Sequence, residues 1–177
     1  MSATRRTARE WAIQMLTAAD LNPPEDVRAF MDAFWNQISD LDEEDGGPMK
    51  AKARMKAFAE ARVAGVLGSL KEIDEILVPL LDHWDLYRLG TVERMVLRMG
   101  LWEMKYAEVP KPVCINEAID LANWFSSPKS RSLINGVLDK YAKRVERVER
   151  VEKVERVEKV ERVEKVEKVE GVEKVEG

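Results

Sequence analysis

Three guanidinium groups open the chain, at Arg5, Arg6 and Arg9. Guanidinium pairs bidentately with phosphate and stacks on nucleobases, so the chemistry this cluster offers is capture of an RNA-like anion. On a helix turning about 100° per residue, Arg5 and Arg9 lie about 40° apart, on one shoulder of an apolar stripe, with Arg6 further round. The expectation is a fixed basic edge. The formal net charge of −4 supplies no bulk basic field, so any nucleic-acid binding must come from such a local patch.

The other chemistry-bearing residues point away from catalysis. His83 is the only histidine, so a metal site or a Ser-His-Asp arrangement would have to use it. It stands beside Trp84 in a helix-end segment and reads as a capping or surface residue. Cys114, the single thiol, can form neither an internal disulfide nor a tetrahedral zinc site; it reads as a core residue in a reducing compartment. Neither GxxxxGK nor GxGxxG occurs. Gly46-Gly47 sits in an acidic stretch that repels phosphate, and Gly65 and Gly68 read as close-packing positions on a helix. Carboxylates are abundant but scatter over polar faces, and no pair is singled out. The reading is a non-enzyme with no cofactor and no metal.

The elements that must position these residues are helical throughout. Thr4 to Ala19 carries the stripe Ala8, Trp11, Ala12, Met15, Leu16 and Ala19. A second helix is expected after Asn22 as N-cap, with Pro23-Pro24 in its first turn and Val27, Phe30, Met31, Phe34, Trp35 and Ile38 facing in. Asp40 to Pro48 is a loop. Met49 to Leu81 is helical but bends or breaks at Gly65, Gly68 or Pro79. Further helices span Thr91 to Tyr106, Pro112 to Phe125 and Lys129 to Lys143, with Ser126-Ser127-Pro128 as a turn. The five tryptophans read as core. The resulting class is an all-α helical bundle, split into subbundles near Asp82 to Gly90.

From Val145 to Gly177 the chain is eleven Val-Glu-Lys/Arg triplets, with glycine in the third place at Gly171 and Gly177. A period of three on a helix of about 3.6 residues per turn makes the valines spiral, so they never form a buriable stripe. Glu four residues before Lys or Arg supports helix, and valine and Glu–Glu spacing oppose it. The expectation is a solvated helix continuing the last core helix, or disorder. The domains are therefore 1–144 and a tail, 145–177. No apolar run approaches the roughly 20 residues of a membrane span, and Met1 to Arg9 lacks the apolar segment of a signal peptide. A cytoplasmic protein without membrane association is the simplest reading.

Four segments, in order, carry a resemblance. Arg5-Arg6-Thr7-Ala8-Arg9-Glu10 with Ala12-Ile13-Gln14-Met15-Leu16 is similar to the opening of the NusB family. Val92-Glu93-Arg94-Met95-Val96-Leu97-Arg98-Met99 resembles its middle helix. Pro112-Val113-Cys114-Ile115-Asn116-Glu117-Ala118-Ile119-Asp120-Leu121-Ala122 resembles its most recognisable stretch. Phe125-Ser126, Ser130 and Asn135-Gly136-Val137-Leu138-Asp139 resemble its last helix. Order and spacing agree over about residues 3 to 143, and the triplet tail lies outside the pattern.

The resemblance implies two three-helix subbundles and a transcription antitermination factor. Such factors bind boxA RNA of ribosomal RNA transcripts together with NusE, a small-subunit ribosomal protein, and join the RNA polymerase antitermination complex. The family's RNA contacts fall here on Arg5, Arg6, Arg9, Lys129, Ser130 and Leu133, and its NusE contacts on Thr17 and Glu93. Lys129 stands where the family often has an acidic residue, Leu133 where an aromatic is common, and Thr17 where others carry tyrosine. The resemblance leaves open a protein-only adaptor or a homodimer that occludes the arginines. Fusion to an RNA cytosine methyltransferase would need an α/β domain, and no such segment follows residue 144.

Overall fold

The computed structural model of the chain describes residues 4–39, 49–125 and 128–173. The loop expected at Asp40 to Pro48 and the Ser126-Ser127 turn lie outside them. The described residues form α-helices joined by short connections and 3-10 turns, with no β-strand among them. Helix α1 is Arg5–Leu21, α2 Val27–Ser39, α3 Met49–Gly68, α4 Leu70–Leu77, α5 Thr91–Lys105, α6 Lys111–Phe125 and α7 Pro128–Glu173. Two 3-10 turns, Val78–Leu80 and Leu86–Arg88, lie between α4 and α5.

Local chemistry sets the helix ends. Thr4 caps α1 through a reciprocal box: its hydroxyl accepts from the Thr7 N–H at 3.2 Å, and its own N–H donates to the Thr7 hydroxyl at 3.4 Å. The expected start of the second helix is corrected. Asn22 instead closes α1, its N–H donating to the Ala18 carbonyl, and α2 begins at Val27. Asp26 is its cap, with a carboxylate accepting from the Arg28 and Ala29 N–H groups at 2.8 and 3.0 Å. A carboxylate satisfies two orphan donors at once, which makes Asp26 the stronger start signal. The break expected within Met49 to Leu81 falls at Ser69, and Pro79 sits in the first 3-10 turn, where its missing N–H costs nothing.

The chain divides into two compact units, Met1–Lys140 and Tyr141–Gly177. Within the first, α1, α2 and α3 form one three-helix group. Trp11 of α1 meets Trp35 of α2 edge-to-face at 5.4 Å, and the Trp35 indole N–H donates to Glu60 of α3 at 2.9 Å. Helices α5 and α6 and the start of α7 form the second group. They close on Gly100, where an added Cβ would lie 2.9 Å from Leu138 of α7 and 3.7 Å from Ala118 of α6. Helix α1 packs mainly on α3 and α5 and also meets α6, so the two groups share one core. Every residue of α5 from Met95 to Leu101 is buried, and a helix buried on all sides belongs at the centre of a domain.

Gly65 is a packing position, since a side chain there would run into the Trp102 indole; Gly68 is not, having open space around its Cβ direction. The reading of all tryptophans as core is corrected at Trp84 and Trp124, both exposed. In the second unit the valines from Val148 to Val163 are each about half exposed along a continuous helix, as the spiral period requires.

Candidate nucleic-acid interface

The arginines of α1 occupy three depths. Arg5 is exposed, its guanidinium 5.8 Å from the Phe58 ring of α3. Arg6 keeps 46% of its side chain exposed and pairs across to α6, with Asp120 and, at 3.7 Å, with Glu117. Arg9 is 3% exposed. Its Nε donates to both carboxylate oxygens of Glu103 at 3.0 and 3.1 Å, and an Nη stands 3.6 Å from Glu117.

The basic edge expected from Arg5, Arg6 and Arg9 is therefore corrected at Arg9. Angular proximity on the helix is real, but Arg9 lies one turn further in, where α3 and α5 cover the shoulder.

Sequence reasoning missed the partners that hold this end of α1. Arg62 of α3 joins Arg9 on Glu103, donates to the Phe58 carbonyl at 3.0 Å and lies 3.1 Å over the Phe58 ring. Burial pushes the Arg62 guanidinium below its ordinary value, while Glu103 opposes the fall. Two guanidiniums on one buried carboxylate form a strut between α1, α3 and α5. No sequence signal marks it, because Arg62 and Glu103 stand in ordinary helical patterns and become buried only when three helices meet.

At the start of α7, Lys129 is exposed and Leu133 half-buried. Ser130 is 5% exposed, and its hydroxyl donates to Glu93 of α5 at 2.6 Å. Glu93 is the third residue of α5, near the positive helix terminus. Its carboxylate fills the space a side chain would need at Gly90. The neighbouring Arg94 pairs with Asp20 of α1 and donates to the Leu89 carbonyl at 3.0 Å. That bridge brings the α1 turn carrying Thr17 to the α5 turn carrying Glu93. Thr17 is half-buried, and its hydroxyl has no hydrogen-bond partner among the described residues. Behind them Arg98 forks between Asp74 and Asp20 at 2.7 and 3.1 Å. Burial alone would lower its pKa, but the bonds to these carboxylates raise it.

The structure thus brings Ser130 together with Glu93, next to the residue that pairs with Asp20 of α1, and sets Arg5 and Arg6 against α3 and α6. Cys114 is buried, as expected of a core thiol, with its sulfur 3.5 Å from the Val109 carbonyl. His83 is exposed in a turn after the first 3-10 segment. Among the described residues no group of histidine, cysteine and carboxylate side chains could hold a metal ion, and no helix is long and apolar enough to cross a membrane.

The sequence profile of the NusB family matches residues 6–143. A protein of a Nitratiruptor species described as "Transcription antitermination protein NusB" is 38% identical over 144 residues, covering 81% of this chain and 95% of its own. Among solved structures, T. maritima NusB superposes with a TM-score of 0.65 at 28% identity, covering 81% of this chain and 93% of that one. A structure of antitermination factors NusB and NusE in complex with dsRNA shares the fold, with a TM-score of 0.60 at 24% identity over 77% of this chain and 93% of that one. Profile, relatives and fold cover the whole of the helical core, and the chain belongs to the NusB family.

Proposed function

We propose that this chain is a cytoplasmic, non-enzymatic transcription antitermination factor that binds boxA RNA of ribosomal RNA transcripts jointly with a NusE partner and enters the RNA polymerase antitermination complex. Family membership and the names of its relatives support the role. The hydrogen bond from Ser130 to Glu93 is the observation that carries joint binding. It ties the start of α7, where RNA is expected, to the start of α5, where NusE is expected, so a partner on Glu93 and Thr17 would border the RNA surface.

In this reading Arg5, Arg6 and Lys129 meet phosphate and Leu133 offers an apolar contact. Arg9 and Ser130 hold the surface in place from behind. The near balance of charges suits a factor that does not bind RNA tightly alone, because phosphate affinity grows with the number of basic contacts.

The test is binding to boxA RNA and to a scrambled RNA across salt, with and without the cognate NusE. The expected result is a gain in affinity from NusE that is confined to boxA. Equal binding of both RNAs with no contribution from NusE refutes the proposal.

A further inference from the structure

The stripe of α6 that holds Arg6 continues to an aromatic side chain. Glu117, Asp120 and Trp124 are spaced by three and four residues, which places them on one helical face. The first two carry the ion pairs to Arg6. The third, one turn beyond Asp120, is 75% exposed. Among the described residues, an indole this exposed on the polar stripe of an amphipathic helix buries little of its surface. Neighbours at this spacing have Cβ atoms about 5–6 Å apart. Arg6 is held at Asp120, and the open indole follows one turn further along the same face.

We infer that Trp124 is a base-stacking platform, taking an unpaired RNA base on its indole while Arg6 holds the adjoining phosphate. The inference rests on the RNA-binding reading and adds to it a residue outside the set expected from the family. An aromatic face accepts any base, because every base has a π-face, and it needs that base unpaired, because a duplex hides the faces of its bases in the stack. Asp120 and Glu117 compete with phosphate for Arg6, so stacking on the indole supplies a part of the contact that does not depend on charge. Among the described residues, the neighbouring Asn123 and Phe125 are also exposed.

The experiment measures the affinity of single-stranded boxA RNA for the full chain with its NusE partner, by fluorescence anisotropy across salt. Wild type, Trp124→Ala, Trp124→Phe and Arg6→Ala are compared. Trp124→Ala is expected to weaken binding on the order of tenfold. Trp124→Phe restores most of the loss. The slope of log affinity against log salt stays unchanged for both, because the indole touches no phosphate, whereas Arg6→Ala lowers it. Helical circular dichroism is unchanged throughout.

Trp124→Ala binding as tightly as wild type while Arg6→Ala weakens overturns the stacking role and leaves the RNA reading standing. Loss of NusE capture by Trp124→Ala in the absence of RNA also overturns it, marking the indole as a protein contact. A wild-type complex that does not prefer boxA over scrambled RNA removes the RNA reading itself, and this inference with it.

Discussion

Arg9 and Arg6 are three residues apart on one helix and have opposite fates. Arg9 commits its charge to Glu103 in the interior, and removing one partner of a buried ion pair costs about 3–5 kcal/mol because the other charge is left uncompensated. Arg9→Ala should therefore lower stability by that order in chemical denaturation. Arg5→Ala combined with Arg6→Ala should leave stability within about 1 kcal/mol, since exposed ion pairs contribute little, while weakening RNA binding and flattening its salt slope. Asp120→Asn should do the reverse. By releasing Arg6 it should raise RNA affinity severalfold and steepen the slope, as measured in the complex with NusE. Cys114 carries a pH prediction. Burial, with help from Glu103, pushes its thiol from 9.0 up to about 12. Because the folded value is the raised one, its stabilising contribution is complete below pH 9.0 and is lost as pH climbs towards about 12. Wild type should lose more stability than Cys114→Ala across that window.

Between helices, the decisive quantity is how closely backbones approach. At Gly65 a methyl group would enter the Trp102 ring, so Gly65→Ala should destabilise by about 1–3 kcal/mol through overpacking of α3 against α5. At Gly136, inside α7, nothing among the described residues lies within 4 Å of the added carbon. There the only effect is on chain entropy and helix propensity, and Gly136→Ala should gain about 0.5–1 kcal/mol. Thermal unfolding of the two variants gives opposite signs from one chemical change. The hydrogen bond from Ser130 to Glu93 works at the same scale, fixing the start of α7 on the start of α5.

At the scale of the whole molecule, burial separates the core from the triplet repeat. The repeat leaves each valine from Val148 to Val163 about half exposed. Deleting residues 145–177 should therefore leave the unfolding free energy within about 1 kcal/mol, because no apolar stripe is lost from a core. The signal to look for is a fall in total helical ellipticity without a fall in Tm. A large drop in Tm would show that the repeat buries surface elsewhere.

The sequence by itself determined the helices, because periodicity and capping are local. The stripe of α1, the end of α5 before Pro110, the break near Gly68 and the spiral of the repeat all follow from spacing along one chain. It also carried the family, through four ordered segments, and so the identity of the candidate surface. It misplaced the start of α2, where two cap candidates competed locally, and read Trp124 as core although Glu117 and Asp120 already marked its stripe as polar. Tertiary structure alone decided which arginine faces solvent. Helical angle places Arg5 and Arg9 together, but burial depends on which other helices cover each turn. The carboxylates that hold the arginines, Glu103, Glu117 and Asp120, stand about a hundred residues away in the sequence. No local pattern encodes such a meeting; it exists only once α1, α3, α5 and α6 share a core.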